Sequence, residues 1–342
     1  MNTLVFNSKD IEIGDEMSKF WKDYPDIERE LEYVKETMQK VSKSSEQYLN
    51  NSFDYLYSTG GKMLRPAFLI IGSLFGTKNV ENAENIRQLA AAIEMLHSAT
   101  LVHDDIIDES YLRRGKESIH SKYSKEYAVY MGDYLFSQCF LMLSEFDISH
   151  TLLKELAKGI SMICKGEMIQ NQYRYNLDIS VRKYLKIISG KTAALFAASL
   201  SAGANETDLD SKQIKKIAKA GHHIGMAFQL TDDLLDYKSD EKTLGKEVQS
   251  DILRGYYTLP IILSLNSEYS SDIKKILLKD TLKKEDISLL IELTQKSGAI
   301  DKTEEMAERY TKKAIEDIQG LPDSKGKNIL LEIIPKLLKR NY

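Results

Sequence analysis

The sequence predicts an all-α protein of roughly ten to thirteen helices. Apolar residues recur at three- and four-residue steps, as in Ile86, Leu89, Ala90, Ile93, Leu96 and Leu101, and again in Ile214, Ile217, Ala218 and Ile224. Only five prolines (Pro25, Pro66, Pro260, Pro322, Pro335) interrupt the chain, so long segments lack helix breakers. No sustained two-residue alternation bounded by turn pairs argues for strands.

The helical segments are delimited in order by clusters of Gly, Ser, Asn and Asp. Breaks fall near 59–61, 76–85, 109–121, 173–180, 205–210, 238–255, 266–271 and 320–327. No fixed period indicates a solenoid repeat. No shift in composition marks a linker, so the expectation is one all-α domain over 1–342, with about 1–22 open to reading as a loose N-terminal tail.

Composition narrows the function. A formal charge of −4 gives no general attraction to nucleic acid or to an anionic membrane. Cys139 and Cys164 both stand in apolar helical context and read as free, buried thiols; a disulfide scaffold is excluded. The opening MNTLVFNSKDIEIGDE lacks the basic start and apolar core of a secretory signal. The longest apolar stretches, such as TAALFAASLSAGA from Thr192, are too short for a transmembrane segment. A soluble, cytoplasmic protein is expected.

Two acidic clusters carry the chemistry. LVHDDIID gives Asp104, Asp105 and Asp108, and FQLTDDLLDY repeats the spacing with Asp232, Asp233 and Asp236. On a helix, residues four apart share a face, about 6 Å apart along the axis. Such stacked carboxylates repel unless a cation sits between them. Mg²⁺ suits them, because it takes oxygen ligands and commonly bridges carboxylates to substrate phosphates. One cluster alone could be a solvated helix face; two with identical spacing, both entered from apolar helix, favour metal.

A metal of this kind implies a phosphorylated ligand, and cations stand nearby. Lys62 and Arg65 lie in GGKMLRP, one turn apart after a glycine pair. Arg113 and Arg114 follow the first cluster, Lys191 opens KTAALF, and Lys246 sits in LGKEVQSD ten residues after Asp236. His97, seven residues before Asp104, shares its face and reads either as an anion ligand or as a core histidine. His103 lies on another face and reads as structural.

Together these residues resemble the trans-isoprenyl (polyprenyl) diphosphate synthase family, of the medium- to long-chain type. The resemblance runs from about Gly60 to Pro260 through GGKMLRP, DDIID with its arginine pair, GDYLFS, GEMIQ, KTAALF, and FQLTDDLLDY followed by LGK. It implies the isoprenoid synthase type of fold, a single bundle around a central cavity. It also implies condensation of isopentenyl diphosphate with an allylic diphosphate by ionisation, condensation and elimination, with Mg²⁺ as cofactor. By the same resemblance, Asp104, Asp108 and Asp232 are metal ligands, and Asp105 and Asp236 support them. Arg113, Lys191 and Lys246 grip the allylic diphosphate; Lys62, Arg65, His97 and Arg114 bind isopentenyl diphosphate; Thr192 and Gln229 line the allylic cation.

Two departures stand out. Tyr256 occupies a place where a lysine is common, and Glu247 and Gln249 stand where proline and glycine are common. In this family the residues just before the first cluster form a floor under the growing chain. Here they are Ala99 and Ser98, with Met95, Leu96, Ala91 and Ala92 below, and none is Phe or Tyr. The expected product is therefore longer than farnesyl, in the hexaprenyl-to-octaprenyl range or beyond. Geranylgeranyl diphosphate is the alternative, as is a catalytic subunit of a two-component enzyme. The resemblance suggests a homodimer, and a heteromeric partner subunit is the second option. A class I terpene cyclase fits less well, since its second motif mixes Asn, Ser or Thr with Glu.

Overall fold

Pro25 sets φ for the first turn of a helix, and behind it Ile27, Leu31, Val34 and Met38 recur at four-, three- and four-residue steps. The computed structural model of the protein has this helix, Pro25–Val41, with all four side chains buried on one face. The structure describes residues 16–76, 83–145, 150–238 and 248–338. Among them are seventeen α-helices, one π-helical turn and one two-stranded hairpin. The helix count exceeds the ten to thirteen expected because six helices are only four to eight residues long. One or two turns are too short to display a 3.6-residue period, so the apolar pattern reveals only the longer helices.

The chain divides into two compact units interleaved in sequence: Met1–Ala67 with Ala91–Phe140, and Phe68–Ala90 with Leu141–Tyr342. In the first unit, helix Glu16–Trp21 is followed by Pro25–Val41 and Gln47–Ser58. Met17 and Trp21 are fully buried, so residues 16–21, inside the stretch read as a loose tail, are packed. The preceding part of that tail lies outside the described residues. Helix Ala83–Ile107 delivers the first acidic cluster, and the hairpin Leu112–Arg113/Lys116–Glu117 follows. The hairpin turns through Arg114 (φ 51°) and Gly115 (φ 78°), the positive angles that a two-residue type I′ turn requires. Cys139 is buried as expected, and burial pushes its thiol up to about 12.

The second unit is built around helix Ser211–Lys238, which packs along Ala194–Asn205 and Ala299–Gln319. Ser180, the end of an expected loop, caps helix Val181–Ile188 by accepting from the Lys183 amide. The π-helical turn Ser189–Ala193 then joins it to Ala194–Asn205. The apolar stretch from Thr192 is thus part of a 25-residue helical run, Val181–Asn205, which is long and apolar enough to cross a membrane by length and composition. This corrects the reading that the stretch is too short. Of the run's apolar window 72% is buried within the protein, as in a core helix. At Gly225 a Cβ would stand 2.6 Å from Ala193 Cα, so only glycine lets helix Ser211–Lys238 approach the π turn this closely. Cys164 is exposed, contrary to the expectation of burial; its place on helix His150–Gln172 lies off the apolar face that buries Ile163.

Candidate active site

Both acidic clusters stand at the C-terminal ends of long helices. Asp104 and Asp105 occupy the last turn of Ala83–Ile107, and Asp108 follows it, its amide donating to the Asp104 carbonyl at 2.8 Å. Asp232, Asp233 and Asp236 occupy the last two turns of Ser211–Lys238. A helix C-terminus already carries about half a negative charge. Adding carboxylates there is unfavourable without a cation, so placement as well as spacing selects positive ligands.

In the first unit Asp105 is buried, and Arg113 grips it with two parallel bonds, Nε to Oδ2 and Nη2 to Oδ1, both 2.7 Å. This fork is the strong geometry for guanidinium and carboxylate. Asp105 thereby anchors Arg113, while Asp104 and Asp108 remain half-buried. Asp105 and Arg113 line a cavity of about 490 Å³ together with Arg114, His97, Ser98 and Gly60–Gly61. Arg114 lies against Gly61, where a Cβ would meet its Nη1 at 2.2 Å.

Arg65 and His97 meet behind this wall. Arg65 Nη1 is 2.8 Å from His97 Nε2. Arginine has only donors, so Nε2 must accept and the imidazole is neutral there. Burial, joined by Arg65, Arg114 and Arg113, holds His97 well below the usual imidazole range. Burial also lowers Arg65 to about 10, opposed by Glu94. Glu94, which the sequence reading missed, lines the cavity, and its Oε2 has no hydrogen-bond partner among the described residues. Burial raises its pKa, against Arg65 and Arg114. A lone acid one turn before His97 in AAAIEMLHSA was the available signal. His103 bonds the Val129 carbonyl at 3.2 Å and Asp133 at 3.3 Å, in keeping with a structural role.

In the second unit the π turn presents Lys191 and Thr192. Lys191 Nζ pairs with Glu167 at 2.9 Å and donates to Gln170 at 3.1 Å. Those residues sit three apart in GEMIQ and share a helix face. Thr192 Oγ1 donates to Gln229 Oε1 at 2.7 Å, and Gln229 Nε2 donates to Asp233 Oδ1 at 3.0 Å. The Tyr184 hydroxyl donates to the other oxygen of Asp233. Burial raises Asp233 to about 7 and Tyr184 well above its ordinary value. Nothing in the sequence pointed to Tyr184. The Arg174 guanidinium lies 5.5 Å over the Tyr256 ring, bringing a cation to a residue that departs from the expected lysine. Lys246 and Glu247 lie outside the described residues, as do the side chains of Asp236 and Gln249.

Of the expected floor residues, Ala99 and Met95 are fully buried and Leu96 nearly so. Ser98 faces the cavity.

The sequence model of the polyprenyl synthetase family matches residues 46–294. The chain belongs to this family. It is 34% identical over 319 residues to heptaprenyl diphosphate synthase component 2 of Geobacillus stearothermophilus, covering 93% of this chain and 98% of that one. The crystal structure of heptaprenyl diphosphate synthase from Staphylococcus aureus matches with a TM-score of 0.85 at 36% identity, covering 92% and 99% of the two chains. That of geranylgeranyl pyrophosphate synthase from Lactobacillus brevis matches with a TM-score of 0.88 at 33% identity, covering 94% and 99%. The all-α fold is the isoprenoid synthase fold, and the protein is a prenyltransferase of the trans-polyprenyl diphosphate synthase class.

Enzymes of this family depend on a metal, and the donors present suit one. They are carboxylate oxygens at helix C-termini, hard ligands for a hard divalent cation. Among the described residues no three His, Cys, Asp or Glu side chains form a cage by themselves. Mg²⁺ needs none, since it is commonly held by one or two carboxylates, waters and the phosphates of the substrate.

Proposed function

We propose that this polyprenyl diphosphate synthase extends an allylic diphosphate with isopentenyl diphosphate to an all-trans product longer than farnesyl, in the hexaprenyl-to-octaprenyl range or beyond. The observation that carries the reading is local to one unit: Asp105, forked by Arg113, lines the same cavity as Arg114, His97 and the Gly60–Gly61 turn. The acid between the candidate metal ligands Asp104 and Asp108 therefore shares a wall with the basic residues.

Asp104, Asp108 and Asp232 would hold Mg²⁺, with Asp236 in support and Asp105 acting through Arg113. The bound ion supplies Lewis-acid stabilisation of the departing pyrophosphate. Arg113, Lys191 and Lys246 hold the allylic diphosphate as its carbon–oxygen bond breaks and the electron pair leaves with pyrophosphate. Lys62, Arg65 and Arg114 bind isopentenyl diphosphate, and neutral His97 orients Arg65. The double bond of isopentenyl diphosphate then attacks the allylic cation, and pyrophosphate takes the released proton. Thr192 and Gln229 contribute fixed dipoles at the cation, whose positive charge they stabilise without reorganising. Gln229 owes its amide orientation to Asp233, which accepts from its Nε2.

For the whole chain we propose one catalytic domain in the cytoplasm, acting as a homodimer. Val129, Tyr130 and Phe140 in the first unit, and Leu153, Met162 and Met168 in the second, expose apolar area fit for a partner. The second reading, a subunit that needs a different partner chain, is favoured by the relative named as a component 2. The purified chain with farnesyl diphosphate, labelled isopentenyl diphosphate and Mg²⁺ separates these readings. Turnover without a partner, abolished by chelation and restored by Mg²⁺, is expected. Turnover that needs a second chain selects the two-component reading, and turnover indifferent to chelation contradicts the mechanism.

A further inference from the structure

The turn at the basic cavity is strained, and something distant holds it. Gly60 and Gly61 have φ of 70° and 143°, and Met63 adopts φ 47°, a left-handed angle that costs a residue with a Cβ. Such conformations persist only where the surroundings over-determine them. Arg114 supplies one side of the clamp, since its guanidinium lies against Gly61. The other side comes from far earlier in the chain: Trp21 Nε1 donates to the Lys62 carbonyl at 2.7 Å across 41 positions. Trp21 is fully buried, with the rings of Phe20 and Tyr24 in T-shaped contact with it at centroid distances of 4.9 and 6.2 Å. The Lys62 ammonium lies 5.4 Å over the Phe20 ring, and Glu16 of the same short helix lines the cavity. Helix Glu16–Trp21 precedes residue 46, where the family match begins.

We propose that Trp21 is a positioning residue for isopentenyl diphosphate, fixing the Gly60–Met63 backbone so that Lys62 and Arg114 meet one diphosphate. The proposal rests on the assignment of the basic cavity to isopentenyl diphosphate. Its effect is selective, because the indole's hydrogen bond goes to the Lys62 peptide, in the turn of the isopentenyl diphosphate subsite. Trp21 is also the chain's single tryptophan, so its emission reports this subsite alone.

The test uses the full chain without metal or allylic substrate, titrated with isopentenyl diphosphate. Tryptophan emission is expected to shift and saturate together with binding of the labelled compound measured by equilibrium dialysis. Trp21→Phe, which keeps a ring and removes the donor, should weaken that binding about tenfold, the size of one lost hydrogen bond. It should raise KM for isopentenyl diphosphate similarly, with kcat and KM for the allylic substrate held within about twofold. Wild-type binding with no change in emission overturns the proposal, and this outcome needs no variant to fold. Equal rises in both KM values, or binding by Trp21→Phe equal to wild type, overturn it too while leaving the cavity assignment intact. Failure of the wild-type chain to bind isopentenyl diphosphate overturns the assignment and the proposal together.

Discussion

His97 shows how a side chain's partner changes its chemistry. By sequence it could bind an anion or sit in a core; the structure makes it the acceptor for Arg65. The imidazole stays neutral as pH falls through the ordinary value of 6.5, while the unfolded chain takes up a proton there. Its contribution to stability is therefore complete above about pH 6.5 and is lost as pH falls below it. Between about pH 7.5 and 5.5 the predicted loss is up to about 1.4 kcal/mol. Chemical denaturation of wild type and His97→Gln at both values measures it, because Gln keeps an acceptor and removes the titration. An equal pH dependence in the two proteins would show that His97 is protonated in the fold. The Arg113–Asp105 fork was legible only as proximity, eight positions apart. Which acid Arg113 would choose depends on the hairpin turning back, a geometry set by positive φ at Arg114 and Gly115.

At the level of elements, the long helices and the acidic ends of two of them were readable, because apolar period and carboxylate spacing are local. The π turn at Ser189–Ala193 was not. Its register follows from backbone contacts at Gly190 and Gly225 with neighbouring helices, which no local propensity encodes. The short hairpin was missed for a similar reason, since two-residue strands show no alternation. Helix Ala83–Ile107 carries the sharpest prediction at this scale. Ala99 is fully buried one turn above Met95, on the face proposed as the floor of the product tunnel. Ala99→Phe should shorten the main product by at least one isoprene unit, at a stability cost of about 1–3 kcal/mol from overpacking. Chromatography of the products, beside a thermal melt to establish folding, decides it. A folded variant with unchanged product length places the floor elsewhere.

For the molecule as a whole, the all-α class followed from apolar periodicity and the family from motifs between about Gly60 and Pro260, and the match over 46–294 agrees with that extent. The sequence could not reveal that helix Glu16–Trp21, ahead of that span, braces the GGKMLRP turn. A hydrogen bond across 41 positions leaves no local trace. Nor could it distinguish exposed Cys164 from buried Cys139, as both lie in similar apolar surroundings. In the proposed reading, two acid-ended helices and a basic cavity build a chain longer than farnesyl over small residues at Ser98 and Ala99. The most direct measurement is chromatography of the products made by the isolated chain from farnesyl diphosphate and labelled isopentenyl diphosphate with Mg²⁺. All-trans products of hexaprenyl to octaprenyl length or longer are expected; no elongation beyond farnesyl would overturn the proposed function.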